Sequence, residues 1–189
     1  MTVTSVKMTL AEFLDYDDGT DTLYELENGE LIPMPAESDR NQRIASFLFS
    51  MFLMLGIPSY RLRIGLEIAV SGVRASVRLP DFVVLSEALA SALEGSSRSI
   101  VLMDMPPPEL VVEIVSPNQE KRDYRYKRTE YGARGIAEYW IVDPILQQVT
   151  VLEWVEGLYE EKVYRGNEAI ASSSFGNLEL TADRILQGK

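Results

Sequence analysis

The sequence predicts an α+β fold in one domain, and three observations predict it. Asn28-Gly29 separates two short runs of alternating apolar residues, the signal of a two-residue β-hairpin. Ile44, Phe47, Leu48, Met51 and Leu55 fall at helical spacing and mark a core helix. Between residues 109 and 142, two apolar runs flank a charged helical stretch. A strand–helix–strand unit of that length calls for a parallel pair joined by a right-handed crossover. No internal repeat, linker or low-complexity segment divides the 189 residues, enough for one full hydrophobic core.

In chain order, residues 8–16 predict a short helix capped by Thr9, with Glu12 at capping-box spacing. The hairpin covers 23–34, and Pro33 and Pro35 close it. Ser38 or Asp39 caps the core helix, which runs to about residue 55 and ends at Gly56 and Pro58. Leu62, Ile64, Leu66, Ile68 and Val70 alternate with other residues, so 61–70 predicts one strand, with a turn at Ser71-Gly72. A third strand spans 77–85 and contains Pro80-Asp81. Residues 87–104 read as a short helix and a Gly/Ser loop, the best candidate for a flexible excursion. The crossover unit comprises strand 109–115, a helix over about 119–133, and strand 138–142. Residues 149–154 and 158–164 pair around Glu156-Gly157, and a short strand or helix follows Phe175.

Composition removes several chemistries. The chain has no histidine and no cysteine, which excludes histidine zinc sites, Ser-His-Asp triads, Cys-His pairs and disulfides. Acid–base work falls to Asp, Glu, Lys, Tyr or a metal-activated water. Apolar content of 46% and charged content of 25% are those of an ordinary globular protein. No apolar run approaches the roughly 18 residues of a membrane span. The N-terminus shows no basic region followed by an apolar one, so a cytoplasmic protein without a signal peptide is expected. The net charge of −11 opposes passive, non-specific binding of polyanions. It leaves room for a local basic surface, or for carboxylates that recruit a divalent cation.

The chemistry-bearing residues cluster around two anomalies. Glu113 sits inside the apolar run 109–115, sharing a face with Val111 and Val115, while Val112 and Ile114 share the other. An ionised Glu is rarely buried unpaired. Asp81 follows a proline at the start of a strand. If the two strands are neighbours, Asp81 and Glu113 converge, and two carboxylates with water suit Mg²⁺ or Mn²⁺. The alternatives are a turn residue at Asp81 and an edge-exposed Glu113. The second anomaly is the helix from Gln119. Lys121, Arg122, Arg125, Lys127, Arg128 and Arg134 are six of the eighteen basic residues, and Tyr124, Tyr126 and Tyr131 interleave with them. Asp123, Lys127 and Tyr131 share a face. Such a stretch either tracks a phosphate backbone or is a solvated charged face.

The order Pro80-Asp81, then residues 109–117 (ELVVEIVSP), then Asp123 and Lys127, then residues 135–144 (GIAEYWIVDP) resembles the Uma2 family, DUF820-like proteins of the restriction-endonuclease-like PD-(D/E)XK superfamily. The match extends upstream to residues 24–30 (YELENGE) and 35–44, covering about residues 9–153. The resemblance implies a core of helix, three-strand sheet, helix and strand, with the N- and C-terminal hairpins as additions. It implies that Asp81 and Glu113 ligate a metal and, with Lys127, make up the catalytic set. In the superfamily a lysine stands two residues after the second acid; here that position is Val115, and Lys127 on the following helix takes its place. Glu37 is the candidate for an additional acid near the first core helix, with Glu67 as a second option. Asn41 stands where the family commonly has histidine, and cannot serve as a base at neutral pH.

The reading implied is an Mg²⁺- or Mn²⁺-dependent endonuclease acting on nucleic acid, DNA first. Lys121, Arg122, Arg125, Asn41 and Gln42 are its candidate contacts with the nucleic acid. Two rivals stand beside it. One is a catalytically silent nuclease-fold protein that binds nucleic acid or a protein partner. In the other, Glu113 and Lys127 are simply a buried ion pair that fixes packing. An edge strand or the C-terminal hairpin could support a homodimer.

Overall fold

The computed structural model describes residues 7–71, 76–117 and 119–189. Gly72, part of the turn expected after residue 70, lies outside the described residues. The chain opens with α1 (Leu10–Leu14), where Thr9 and Glu12 form the expected capping box. The hairpin β1 (Tyr24–Glu27) and β2 (Glu30–Pro33) turns at Asn28 (φ 49°) and Gly29 (φ 83°), positive values that suit a two-residue hairpin turn. Helix α2 (Asp39–Met54) is capped by Ser38, whose side chain accepts the Asn41 N–H.

Beyond a 3₁₀ turn (Ser59–Arg61) come β3 (Leu62–Arg63), β4 (Glu67–Val70), β5 (Ser76–Arg78), β6 (Phe82–Val84), α3 (Glu87–Ala92) and β7 (Ile100–Val101). Strand β8 (Leu110–Ile114) leads to a π-helical turn (Arg122–Lys127) that runs directly into α4 (Arg128–Arg134). Strands β9 (Glu138–Asp143), β10 (Gln148–Val155), β11 (Leu158–Tyr164), β12 (Ala169–Ser172) and β13 (Gly176–Thr181) follow, and α5 (Ala182–Gln187) ends the chain.

Among the described residues these strands form a six-stranded sheet in the order β11-β10-β9-β8-β6-β3, a five-stranded sheet β2-β1-β5-β4-β7, and the pair β12-β13. Strands β8 and β9 run parallel, as the crossover requires. The succession α2, β3, β6, β8, α4, β9 reproduces the expected core of helix, three strands, helix and strand. Alternation along β8 divides the core as expected. Val112 and Ile114 join Ile44, Leu48, Phe52 and Trp140 on the α2 side. Val111 and Val115 join Tyr131, Tyr139 and Ile141 on the α4 side. Glu113 belongs to this second face.

The structure corrects four of these readings. The stretch 61–70 is two strands, β3 and β4, in different sheets, because Gly65 (φ 75°) interrupts the extended chain. The stretch 77–85 likewise splits into β5 and β6. Pro80 has no N–H to donate to a ladder, so the chain bends there. The helix after residue 119 is π-helical in its first part rather than regular α. Within 87–104, Ile100 and Val101 are not loop: they pair in parallel with Glu67 and Ile68.

The C-terminal elements are pinned by a buried carboxylate. Glu138, fully buried on β9, accepts bonds from Trp140 Nε1 (2.9 Å), Ser172 Oγ (2.7 Å), Ser173 Oγ (3.0 Å) and the Ser174 N–H (2.6 Å).

Candidate active site

Asp81 stands at the bend between β5 and β6, beside the end of β8, where its Oδ2 accepts the Ile114 N–H at 2.6 Å. The preceding residue of β8, Glu113, is 3% exposed. Its Oε2 accepts a bond from Lys127 Nζ at 2.7 Å and its Oε1 one from Tyr131 OH at 2.6 Å. The crossover geometry explains the convergence. The helical segment returns over the face of β8 that carries Glu113, and residues four apart on it present Asp123, Lys127 and Tyr131 together. Lys127, 2% exposed, lies 3.2 Å from Asp123 Oδ1 and 3.6 Å from Glu25 Oε1. Three carboxylates thus surround one ammonium.

Behind this group lies a second layer of charge. Arg78, fully buried at the end of β5, bonds Glu25 Oε2 (3.0 Å), Glu27 Oε2 (2.9 Å) and both oxygens of Glu130 (2.7 and 2.8 Å). Arg122 donates to Glu25 and lies 3.3 Å from Glu27. At the front, buried Asn41 ties α2 to the end of β8. Its Nδ2 donates to Ser116 Oγ (3.0 Å), Glu37 Oε2 (3.2 Å) and the Ile114 carbonyl (3.4 Å).

A cleft of about 760 Å³ opens in front of Asp81, lined in part by Glu37, Asn41, Gln42, Leu23, Met34 and Leu79. Neither lysine nor arginine lines it among the described residues. Glu113 and Lys127 do not reach its wall; they stand behind Asp81.

The acids carry the strain of this arrangement. Burial pushes the Asp81 carboxyl up to about 7 against the Ile114 N–H, and Glu37 adds to the rise. Burial likewise pushes Glu113 up to about 8; Lys127 opposes it, and Asp123 and Asp81 reinforce it. Asp123 is raised by burial too. Burial also acts to raise Glu25, but Lys127, Arg78 and Arg122 together hold it at about 2. Burial disfavours the Lys127 ammonium, yet Glu113, Glu25 and Asp123 outweigh it and keep the amine protonated well above its ordinary range.

The sequence-derived candidates divide into those the fold gathers and those it does not. Glu113 and Lys127 pair directly, Asp81 bonds the next residue of β8, and Glu37, Asn41 and Gln42 reach the cleft. Arg122, expected to contact nucleic acid, is instead engaged by Glu25 and Glu27. Lys121, just before the π-helical turn, and Arg125 on it are exposed and outside the cleft wall. Glu67 is held in a two-point pair with Arg98 (2.6 and 2.7 Å), away from the cleft. Sequence reasoning missed Glu25 and Arg78. Arg78 was open to the argument made for Glu113, a charge inside a largely apolar run, here the expected strand 77–85. Glu25 was hidden, because alternation in a two-strand hairpin assigns it to the solvent side.

No three acids among the described residues converge closely enough to hold a metal ion by themselves. Asp81 and Glu113 are near enough to feel each other's charge, and both offer only oxygen. Glu113 retains a second lone pair on each oxygen beyond those used by Lys127 and Tyr131. Burial raises Asp81 and Glu113, and neighbouring acids reinforce it. Such a set fits a small hard dication that keeps several of its waters.

Residues 10–183 match the model of the Uma2 family, described as "Putative restriction endonuclease". The chain belongs to the Uma2 family. Its fold also resembles a crystal structure described as a "putative nuclease belonging to DUF820" from Anabaena variabilis ATCC 29413. The TM-score is 0.74, at 21% sequence identity, over 96% of this chain and 98% of that one. A comparison with curated proteins gives no match. Among the described residues, no helix of this Uma2 protein is long and apolar enough to cross a membrane.

Proposed function

We propose that this Uma2 protein is a divalent-metal-dependent nuclease that hydrolyses phosphodiester bonds in nucleic acid, with DNA as the first substrate to test. The observation that carries the reading is the 2.7 Å contact between Lys127 and Glu113, one residue along β8 from the N–H that Asp81 accepts, at a cleft lined by acids and, among the described residues, no basic side chain. A phosphodiester entering such a cleft meets net negative charge unless a cation is held there.

Asp81 and Glu113 would hold Mg²⁺ or Mn²⁺, with Glu37 at the cleft edge as the additional acid. When bound, the ion makes a water nucleophilic at neutral pH and draws charge from a phosphoryl oxygen. The rest falls to the chain. Tyr131 fixes the orientation of the Glu113 carboxylate, and Asn41 holds Glu37 against the end of β8. The Lys127 ammonium, permanently protonated, donates toward the attacking water or the developing phosphate charge. Lys121 and Arg125, exposed just before and on the π-helical turn, are the residues left to meet a phosphate backbone. Cutting both strands of a duplex would take two copies, so a homodimer is part of this reading.

A second reading has its own observation. Lys127 and Tyr131 already bond both oxygens of Glu113, as in a packing ion pair within a silent nuclease fold. Cleavage assays with Mn²⁺ on single- and double-stranded DNA and RNA decide between them. The nuclease reading expects wild-type cleavage and a loss of about 100-fold or more in Asp81→Asn and Lys127→Met. It also expects a Mn²⁺-induced rise in Tm that disappears in Asp81→Asn. Equal inactivity of wild type and both variants, with no Mn²⁺-dependent rise, establishes the silent fold.

A further inference from the structure

The geometry points to Glu25 as a positioning residue of this site, one buried carboxylate that holds Lys127 and the segment leading into Asp81 in mutual register. The inference rests on the nuclease reading above. Glu25 lies on β1, outside the strand–helix unit that carries Glu113 and Lys127, and it does not line the cleft. Its Oε1 lies 3.6 Å from Lys127 Nζ and accepts the Leu79 N–H at 3.1 Å. Leu79 precedes Asp81 by two residues, with Pro80 between, whose fixed φ leaves the chain little freedom. The bond to Leu79 therefore sets where the bend bearing Asp81 begins. One oxygen atom refers both the ammonium and the first acid to the same point.

Charge balance alone does not call for Glu25. Arg78 is already neutralised by Glu27 on Nη1 and by Glu130 on Nε and Nη2, and Arg122, which also donates to Glu25, keeps Glu27 at 3.3 Å. Lys127 already has Glu113 and Asp123 within 3.2 Å. Of the carboxylates in this cluster, Glu25 is the one that touches both Lys127 and the main chain leading to Asp81. Without its charge the ammonium is held only from the side of β8 and its own helix, and its tie to the segment leading into Asp81 is lost.

Glu25→Gln tests this, since it keeps an acceptor oxygen for Leu79 but removes the charge. The measurements are kcat and KM for Mn²⁺-dependent cleavage, together with the ¹⁵N signal of the Lys127 ammonium, assigned with Lys127→Met. Expected in Glu25→Gln is a fall in kcat of roughly tenfold or more with KM little changed. The slowly exchanging Lys127 signal of the wild type should shift or broaden. A lower Tm with kcat and the Lys127 signal unchanged overturns the inference and leaves a structural ion pair. So does a fall in kcat without any change at Lys127. If Glu25→Gln does not fold, Glu25→Asp, which keeps the charge but withdraws it from Lys127 and Leu79, is expected to show the same two changes, and their absence counts against the inference equally. A wild type that cleaves nothing removes the nuclease reading and this inference with it, whereas an active wild type with an indifferent Glu25 removes the inference alone.

Discussion

Asp81 and Glu113 hold protons more tightly in the folded protein than carboxyls do in an unfolded chain, whose ordinary values are about 4. Burial drives this, raising Asp81 to about 7 and Glu113 to about 8. Between about pH 4 and pH 8 the folded state thus binds more protons than the unfolded state, and these two residues make stability fall as pH rises through that window. Glu25 works in the opposite sense. Held at about 2, it contributes stability that is present above its unfolded value and is lost as pH falls toward 2. For protein in chelator, Tm is expected to decline from pH 5 to pH 8, and Asp81→Asn to flatten the decline. Mn²⁺ competes with the same protons, so the Mn²⁺-induced rise in Tm should grow over that range. Thermal melts at pH 5, 6, 7 and 8 check both points; a chelated protein that grows steadily more stable toward pH 8 contradicts them.

Lys127 is delivered by the segment after β8, and its position depends on how α4 lies against the sheet. Gly132 makes that close approach possible. A Cβ there would stand 2.7 Å from Trp154 Cζ3 on β10 and 3.3 Å from the Tyr159 ring on β11. Both contacts are with rigid aromatic rings, so the helix must move outward to admit a methyl group. Gly132→Ala is expected to destabilise the fold by about 1–3 kcal/mol, measured by urea unfolding. Because Lys127 lies about one turn and a half upstream on the same segment, it should also weaken cleavage by more than the loss of folded protein explains. The π-helical turn before α4 matters for the same reason. It seats Asp123 and Lys127 in the core while Lys121, Arg125 and Tyr126 stay in solvent. Regular α-helix was the expectation there, because local spacing of charges does not distinguish a wide turn from an ordinary one.

Taken whole, the molecule is an acidic protein with net charge −11 and a cleft that no basic side chain lines among the described residues. Non-specific affinity for DNA comes from counterion release by Lys and Arg, and here little is on offer. In chelator and about 0.15 M salt, oligonucleotide binding is expected to be weaker than about 10⁻⁴ M. Mg²⁺ should tighten it at least roughly tenfold by supplying charge at the acids. Fluorescence anisotropy with labelled single strands and duplexes reads both numbers. Tight binding in chelator would shift attention from the cleft to Lys121 and Arg125.

Much of this protein is written in near-neighbour physics. Thr9 and Ser38 cap helices through bonds to residues three positions on, Asn28-Gly29 and Glu156-Gly157 turn hairpins, and alternation along β8 separates Glu113 from Val112 and Ile114. Such features involve residues close in sequence, and reading them in order sufficed for the core and for singling out Glu113 as a charge that needs a partner. The partners of the buried charges were a different matter. Arg78 meets Glu25 and Glu130 across 53 and 52 residues, and Arg122 meets Glu25 across 97. A charge taken out of water must find an opposite charge wherever the fold brings one, and sequence distance does not weigh in that choice. Tertiary packing therefore withdrew Arg122 from its expected place at the nucleic acid, bent the chain at Pro80 to put Asp81 at a cleft, and turned Glu25 inward to meet Lys127.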